Sequence, residues 1–398
     1  MNGVPYSMFD PRPDDDAGVP LIDVARENGP LRRELDNAWR QVADSGRFVL
    51  GAEVEQLETT IAEHCRVGQG IGCASGSDAL LLALMALDIG PGDEVIMPSF
   101  TFFATASAVW RLGAVPVFVD IEPEHFQLDP EAMESAVTRS TRAIMPVHLF
   151  GQCSDMGEVM KLARRHGLFV IEDAAQAIGA EYNGHRAGGI GDIGCFSFYP
   201  TKNLGGFGDG GMLTTDDEHI GQRLRLLRGH GMAPRYYHRE VGINSRLDAL
   251  QAAVLNVKWN YLDEWTDARR SNAGRYDHLF HEAQLTDWIT LPNQHERCRH
   301  VWNQYVIRVR DGQRDALRSY LAQRNIGSEI YYPVPVHQQE CFAALDYADG
   351  QLPETEKAAT EVLALPIFAG LTAEEQIRVV SACRSFFVSR HAAVAGAA

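Results

Sequence analysis

The sequence predicts an α/β protein with a large domain on a mainly parallel sheet and a smaller C-terminal α+β domain. Strand-like and helix-like segments alternate between Ile71 and Gly211, which is typical of parallel strands connected by helices. The strand-like runs are apolar throughout, so helices are expected on both faces of the sheet. After Gly242 the alternation stops and helices and strands mix. We therefore place a flexible tail at residues 1–18, the large domain at 19–262 and the small domain at 263–398.

Apolar spacing assigns the elements in order along the chain. Two helices are predicted between Gly29 and His64, and the second begins near Ala52. Six strands follow at residues 71–73, 94–97, 115–119, 143–147, 168–171 and 193–198, with helices between the first five. The later elements are a long amphipathic helix, a strand and two helices, at residues 247–261, 305–309, 314–323 and 373–386.

Composition excludes several classes of function. The chain has 398 residues and a formal net charge of −17, which disfavours binding to nucleic acid or to anionic membranes. It has no apolar run of the roughly 20 residues that a membrane helix needs, and its acidic N-terminus lacks a signal-peptide pattern. The seven cysteines include no C-x-x-C spacing, which favours reduced thiols in a cytoplasmic protein. His295, Cys298 and His300 share one polar loop without a second ligand pair, so no metal is expected.

The stretch from Asp192 to Gly211 carries the strongest chemical signal. A short apolar strand ends in a turn at Pro200, Lys202 follows, and five glycines lie within the next nine residues. Glycine at this density lets the backbone pass close to a ligand. A lysine held between a strand and such a turn is well placed to be buried, to lose its proton and to form a Schiff base. A solvated lysine beside a loop is the alternative.

A phosphate site is predicted where the first strand meets its helix. Residues 75–78, Ser-Gly-Ser-Asp, open a helix whose free N–H groups suit an anion, and Gly76 allows close approach. In open α/β sheets, ligands bind at such carboxyl ends of strands. Ser197, at the end of another strand, could supply a second phosphate donor. The alternative is an ordinary helix cap by Ser77.

Three further residues at strand ends suit a planar cofactor. Asp173 follows an apolar strand and could hold a ring nitrogen protonated, although an isolated acid there could also only pair locally. Gln176 comes three residues later and could reach the same ligand. Phe102 could stack on the ring or pack in the core.

Six motifs, in this order, resemble those of the DegT/DnrJ/StrS family of nucleotide-sugar aminotransferases. They are Ser-Gly-Ser-Asp-Ala-Leu from Ser75, Pro-Ser-Phe-Thr-Phe from Pro98, Pro-Val-His-Leu-Phe-Gly-Gln from Pro146, Val-Ile-Glu-Asp-Ala-Ala-Gln from Val170, Phe-Ser-Phe-Tyr-Pro-Thr-Lys-Asn-Leu from Phe196 and Gly-Ile-Asn-Ser-Arg-Leu-Asp-Ala-Leu-Gln-Ala-Ala from Gly242. The resemblance runs from about Val19 to the C-terminal helix. It implies pyridoxal 5′-phosphate (PLP) as the cofactor and fold type I, that of aspartate aminotransferase.

The resemblance also implies a role for each candidate residue. Lys202 would form the Schiff base, Asp173 would hold the ring nitrogen, and Gln176 would lie beside the cofactor's hydroxyl. Phe102 would stack on the ring. The phosphate would be held by Gly76, Ser77 and Ser197, with Asn244 reaching in from the second subunit of a homodimer. Ser77 stands where threonine is frequent in the family, and both residues offer a hydroxyl and an N–H. Without the resemblance, Asn244 would be assigned as a local helix cap.

The implied reaction transfers an amino group from L-glutamate to a keto nucleotide sugar, in amino-sugar biosynthesis for an antibiotic or a cell-surface polysaccharide. The runs that begin at Arg228 and Tyr331 look most like those of members that aminate dTDP- or UDP-linked 3-keto hexoses; 4-keto sugars are the alternative. Family dehydratases carry histidine in place of the Schiff-base lysine, so Lys202 argues against that branch, and non-catalytic regulatory relatives are a further alternative. The predicted substrate contacts are His148, Tyr199, Arg228, Arg235, Tyr236, His238, Tyr332 and His337.

Overall fold

The computed structural model describes residues 18–395, with side chains through Ser389. Apart from Gly18, the tail predicted at residues 1–18 lies outside the described residues. Within residues 18–395, no helix combines the length and the apolar content that crossing a bilayer requires.

The strands form one large sheet and two small ones. Seven belong to the large sheet: β1 (Gln69–Cys73), β2 (Glu94–Pro98), β3 (Val115–Val119), β4 (Thr141–Ile144), β5 (Phe169–Asp173), β8 (Ile193–Ser197) and β9 (Gly211–Thr215). The others are β6 (Glu181–Tyr182), β7 (His185–Arg186), β10 (Ile289–Thr290), β11 (Cys298–Arg299), β12 (Tyr305–Val309) and β13 (Val362–Leu365).

Helices fill most of the connections. Those of the first half are α1 (Val24–Asn28), α2 (Arg32–Ser45), α3 (Ala52–Cys65), α4 (Gly76–Ala86), α5 (Phe103–Arg111), α6 (Pro130–Ser135) and α7 (Met156–His166). Those of the second half are α8 (Glu218–Leu227), α9 (Ala249–Trp259), α10 (Leu262–Glu282), α11 (Arg314–Ala322), α12 (Pro353–Glu361) and α13 (Ala373–Ala395). The last helix continues beyond residue 386, where the sequence analysis ends it.

The large sheet confirms the predicted α/β class with mainly parallel strands. Its strand order is β1-β9-β8-β5-β4-β2-β3, and β9 is antiparallel to both of its neighbours while the remaining pairs are parallel. β9 is not among the predicted strands, because the glycines at its start favour a turn. The structure requires glycine there, since a Cβ on Gly211 would lie 2.4 Å from the carbonyl oxygen of Ser75.

The strands of the large sheet are buried on both faces, as their continuous apolar runs predict. On β2, Val95 and Met97 pack into one hydrophobic cluster while Ile96, between them, packs into the other. This alternation places helices on the two faces of the sheet and leaves the carboxyl ends of the parallel strands free to form a site.

The C-terminal residues build a second core. β12 lies between β10 and β13 in an antiparallel sheet, which packs with α10, α11 and α13 in one hydrophobic cluster. Val19, near the start of the described chain, belongs to this cluster and forms a bridge with Ile326. The division into domains at residues 262 and 263 stays a prediction.

Candidate active site

A cavity of about 530 Å³ opens where the carboxyl ends of several parallel strands meet. The residues that line it follow β1, β2, β4, β5 and β8, and two tyrosines reach in from the C-terminal part of the chain. It gathers ten of the predicted site residues: Gly76, Ser77, Phe102, His148, Asp173, Gln176, Ser197, Tyr199, Lys202 and Tyr332. Residues from distant parts of the sequence therefore converge on one space, as the strand-end argument predicts.

Lys202 is the only lysine or arginine among the lining residues that the structure describes. It lies in a tight turn after β8, where its N–H donates to the carbonyl of Tyr199 at 2.8 Å. Burial lowers the pKa of its ammonium group from 10.5 to about 8, and attraction to Asp173 opposes this shift. A neutral, nucleophilic amine is thus accessible near neutral pH, which a solvated surface lysine does not provide.

Asp173 ends β5 with its carboxylate buried beside Lys202. Its Oδ2 atom accepts a hydrogen bond from Thr105 Oγ1 at 2.8 Å, and its Oδ1 atom accepts one from the N–H of Ala175 at 3.2 Å. Burial raises the pKa of this carboxyl group, and the two hydrogen bonds and Lys202 oppose the rise. A buried carboxylate with few donors is suited to a cationic partner such as a protonated ring nitrogen.

Thr105 is a residue that sequence reasoning missed. Its hydroxyl lies 3.1 Å from that of Thr101 and holds Asp173 from the first turns of α5. Thr101 precedes α5, and Thr105 follows four residues later in the first turn of the helix. That spacing is the only signal in the sequence, and it gains meaning only when Asp173 is known to lie opposite.

The phosphate end of the cavity is built on the first turn of α4. Ser75 caps this helix by accepting a hydrogen bond from the N–H of Asp78 at 3.1 Å, so the cap is Ser75 and not Ser77. A Cβ on Gly76 would lie 2.6 Å from Cβ of Ser197, which shows how closely the two segments meet. Ser197 Oγ accepts from the N–H of Tyr199 at 3.3 Å and so keeps its own hydrogen for a ligand. The helix N-terminus and this hydroxyl fit a phosphate group.

The walls of the cavity fit a planar ring. Phe102 is 60% exposed although it is a large apolar side chain beside a cavity, which suits stacking better than core packing. Gln176 accepts from the N–H of Phe150 at 2.6 Å and donates to the hydroxyl of Tyr332 at 3.0 Å, so its amide is held in one orientation. These residues, with Lys202 and the phosphate end, fit pyridoxal phosphate.

His148 lines the cavity, but both of its ring nitrogens are used inside the protein. Nε2 lies 2.9 Å from the Glu172 carboxylate, and Nδ1 accepts from the N–H of Ser154 at 3.2 Å. Burial raises the pKa of Glu172, but hydrogen bonds from His148 and from backbone N–H groups outweigh it and the pKa is lowered. The imidazole therefore has no free nitrogen for a substrate, and we assign it to holding the strand ends together.

Arg228 and His337 lie outside the cavity and are occupied elsewhere. Arg228 is 8% exposed, forms an ion pair with Glu58 and donates to the carbonyl of Gly72 at 2.7 Å. It therefore secures β1, and the structure gives no support to a substrate contact. His337 is buried with Nδ1 2.7 Å from the hydroxyl of Ser99, which ties the C-terminal segment to the end of β2. Sequence alone could not reveal these tertiary partners.

Four predicted residues lie on or at the base of a protruding hairpin of residues 229–244, outside this chain's cavity. Bridges join Gly229 to Asn244 and Met232 to His238. At the tip, the Arg235 guanidinium lies 4.9 Å from the centre of the Tyr236 ring, and Tyr236 is 75% exposed. Within one chain, Arg235, Tyr236, His238 and Asn244 do not line the cavity with the other site residues.

The cavity also contains residues that are not among the predicted site residues. Thr201, Asp209, Gln304 and Tyr331 line it. The doublet of Tyr331 and Tyr332 offered the only signal. Among the described residues, no group of three or more histidine, cysteine or acidic side chains is arranged to hold a metal.

Comparison with known proteins places this site in a family. Residues 30–384 match the model of the DegT/DnrJ/EryC1/StrS aminotransferase family. A pleiotropic regulatory protein of Geobacillus stearothermophilus is 49% identical over 93% of this chain and 98% of its own length. UDP-N-acetyl-3-dehydro-α-D-glucosamine 3-aminotransferase of Acidithiobacillus ferrooxidans is 45% identical, over 92% of this chain and 97% of its own. A dTDP-3-amino-3,4,6-trideoxy-α-D-glucose transaminase of Streptomyces venezuelae is also 45% identical, over 92% and 96%.

Solved structures of aminotransferases are also similar to this chain in fold. The crystal structure of S. venezuelae DesV in complex with a ketimine intermediate is similar with a TM-score of 0.89 at 44% identity, covering 93% of this chain and 98% of that one. The structure of NtdA from Bacillus subtilis with bound cofactor PMP has a TM-score of 0.85 at 36% identity, covering 92% and 84%.

Proposed function

The chain belongs to the DegT/DnrJ/EryC1/StrS aminotransferase family, and we propose that it transfers an amino group from L-glutamate to the 3-keto group of a dTDP- or UDP-linked hexose. It is a PLP-dependent sugar aminotransferase with an α/β fold. The observation that carries the proposal is the cavity in which a buried lysine of lowered pKa faces a buried carboxylate beside a phosphate cradle. The 3-keto preference comes from what the similar enzymes are named to act on.

The residues of the cavity fit pyridoxal phosphate in one orientation. We assign its covalent attachment to Lys202, its ring nitrogen to Asp173 and its ring face to Phe102. The first turn of α4 and Ser197 would hold its phosphate. When bound, the cofactor supplies a carbonyl group that exchanges with amines and a ring that withdraws electrons from the reacting carbon.

The protein's own groups supply positioning and proton transfer. Lys202 Nζ, whose lowered pKa of about 8 makes its neutral form available near neutral pH, is the amine in the cavity that can take a proton from the reacting carbon and return it. Thr105 and the N–H of Ala175 hold the Asp173 oxygens in place, and a cationic nitrogen opposite them would favour the ionised carboxylate against the rise in pKa that burial causes. Tyr199 and Tyr332 line the same cavity, and we assign them to the space left for the sugar.

Among the described lining residues, the cavity offers the substrate's diphosphate no arginine. We propose that the second subunit of a homodimer supplies cations from its hairpin, where Arg235 is exposed. We also place the protein in the cytoplasm, which fits its seven unpaired cysteines, six of them buried.

The alternatives differ from this proposal in testable ways. A 4-keto sugar would use the same cofactor residues, so it is distinguished only by the acceptor. The presence of Lys202 opposes a dehydratase. A regulatory relative without catalysis would not need a buried lysine and carboxylate facing each other, because unpaired burial of ionisable groups costs stability.

The test is a panel of acceptors. Purified protein with PLP and L-glutamate is incubated with matched 3-keto and 4-keto hexoses linked to dTDP, UDP and GDP, and the release of 2-oxoglutarate is measured. We expect turnover with 3-keto sugars linked to dTDP or UDP. Turnover with 4-keto sugars alone would contradict the preference for C3. A protein that does not convert glutamate to 2-oxoglutarate even in a single turnover would contradict the aminotransferase proposal.

We further propose that Asn244 completes the phosphate site of the partner subunit. Asn244 is exposed at the base of the hairpin and lies outside its own cavity. The local-cap alternative loses support, because Asp248 occupies the cap position of α9. At the hairpin, Val241 is 91% exposed, which suits a surface that a second subunit covers.

Mixing two inactive variants tests the shared site. Asn244→Asp places a negative charge against the phosphate, and Lys202→Ala removes the attachment point. If Asn244 acts on the partner, both lesions fall in one site of the mixed dimer, and random mixing restores roughly a quarter of wild-type activity. The control mixes Lys202→Ala with Asp173→Asn, whose residues line the same cavity, and restores nothing. Equal results from the two mixtures would refute the trans assignment.

A further inference from the structure

A second buried lysine, Lys258, lies on α9 behind the loop that carries Lys202. Its side chain is almost fully enclosed, with 2% of the residue exposed. Its Nζ atom donates a hydrogen bond to the carbonyl of Gly205 at 2.6 Å and lies 5.7 Å from the centre of the Trp265 ring. Lys258 does not line the catalytic cavity, and no role assigned above uses it.

The carbonyl that Lys258 holds belongs to the turn that aims Lys202. In this turn the N–H of Lys202 donates to the carbonyl of Tyr199, and the N–H of Gly206 donates to that of Phe198, both at 2.8 Å. Gly205 lies between Lys202 and Gly206, the donors of these two hydrogen bonds. A donor on its carbonyl therefore fixes the backbone that leads out of the turn.

Helix α9 also contacts the glycine-rich loop at a second point. Gln251 Oε1 accepts a hydrogen bond from the N–H of Phe207 at 2.7 Å. Gln251 and Lys258 are seven residues apart on α9, so they lie on one face, two turns from each other. α9 thus contacts the glycine-rich loop with one acceptor and one donor.

Burying an ammonium group costs free energy, which indicates that the hydrogen bond from Lys258 has a specific role. Burial lowers the pKa of Lys258 from 10.5 to about 8, and attraction to Glu27 opposes the shift. Methionine has a similar length and would enter this environment without that penalty. Lys258 lies in the last turn of α9, where the helix dipole favours a cation. The remaining compensation comes from the hydrogen bond to Gly205 and from the Trp265 ring.

We propose that Lys258 is a positioning residue that holds the backbone of residues 198–206 and thereby keeps the Lys202 amine directed at the cofactor site beside Asp173. This inference rests on the proposed role of Lys202. Without the donor, the Gly205 carbonyl is left buried with one partner fewer and the turn opens more often. The effect reaches the chemistry through the backbone, because attraction to Asp173 is the only charge effect resolved on the Lys202 pKa.

The test is the Lys258→Met variant. Hydrogen exchange of its backbone amides is measured in the PLP-loaded protein, with neither glutamate nor a keto sugar present. We expect the amides of residues 198–206 to exchange about tenfold faster or more, while β12 is unchanged. With substrates, kcat should fall roughly tenfold while KM for glutamate stays the same. Lys258→Arg keeps a cationic donor and should recover part of both effects. If the methionine variant does not accumulate, Lys258→Gln is measured in the same way.

Leu317→Ala is the matched control, because Leu317 is fully buried in the C-terminal cluster and truncation there destabilises the protein away from the loop. Unchanged exchange in residues 198–206 of the Lys258 variant would overturn the inference, as would equal changes in the Leu317 control. Exchange does not depend on the acceptor, so a failure here is distinct from a failure of the proposed reaction.

Discussion

Replacing Lys202 with alanine is expected to abolish transamination and the covalent retention of PLP. Lys202 is the one lysine or arginine among the described lining residues, and both ring nitrogens of His148 are engaged within the protein, so neither the attachment nor the proton transfer has a substitute. We expect kcat to fall by at least about 10⁴-fold. Mass spectrometry after borohydride reduction should show the cofactor's mass on Lys202 in the wild type and no such label in the variant.

The lowered pKa of Lys202 adds a pH dependence to this prediction. The neutral amine is the form that attaches the cofactor, and burial brings its pKa from 10.5 to about 8. The rate of PLP uptake by cofactor-free protein should therefore rise with pH, reach half of its maximum near pH 8 and level off above it. Lys161→Ala is the control, since Lys161 is exposed and pairs with Glu158. Full activity in Lys202→Ala, or uptake that ignores pH between 6 and 10, would contradict the assignment.

Replacing Asp173 with asparagine is expected to slow the reaction while leaving the fold intact. Asparagine keeps an oxygen that can accept from Thr105 or from the N–H of Ala175, but it carries no charge to stabilise a protonated ring nitrogen. We expect kcat to fall roughly 10²- to 10³-fold, measured with saturating glutamate and acceptor, with an unchanged thermal unfolding temperature of the cofactor-free protein.

Thr105→Val separates the charge of Asp173 from its orientation. Valine removes one donor but keeps the carboxylate, so the expected loss is about tenfold. If Asp173→Asn retained a rate within about tenfold of wild type, equivalent to ~1.4 kcal/mol of barrier, Asp173 would not hold the ring nitrogen.

Much of the site could be predicted from sequence because its residues follow strands directly. Gly76, Asp173 and Lys202 each lie at the end of a strand or in the segment that follows it, and parallel strands bring such positions to one edge. The fold class follows from the same alternation of strands and helices, and the apolar strands predict that helices cover both faces of the sheet. Their positions relative to the predicted strands were therefore enough to predict that these residues lie close together.

The remaining features depend on contacts between distant segments, which local patterns do not encode. Arg228 is predicted as a substrate contact, but its partner Glu58 is 170 residues away. His148 sits in a family motif, yet its nitrogens are occupied by Glu172 and Ser154. In the sequence, Lys258 is only a polar residue near the end of an amphipathic helix, and its contact with the Gly205 carbonyl appears only in the folded chain. Each case turned on tertiary partners that only the folded structure shows.

The fate of the donor nitrogen tests the central claim most directly. L-Glutamate carrying isotopically labelled nitrogen is incubated with the PLP-loaded protein and a dTDP- or UDP-linked 3-keto hexose, and the product is examined by NMR. We predict labelled nitrogen bonded to C3 of the sugar, with one 2-oxoglutarate released for each amino group formed. Label bonded to C4 of a 4-keto sugar but never to C3, or no label in any sugar while glutamate is untouched, would contradict the account.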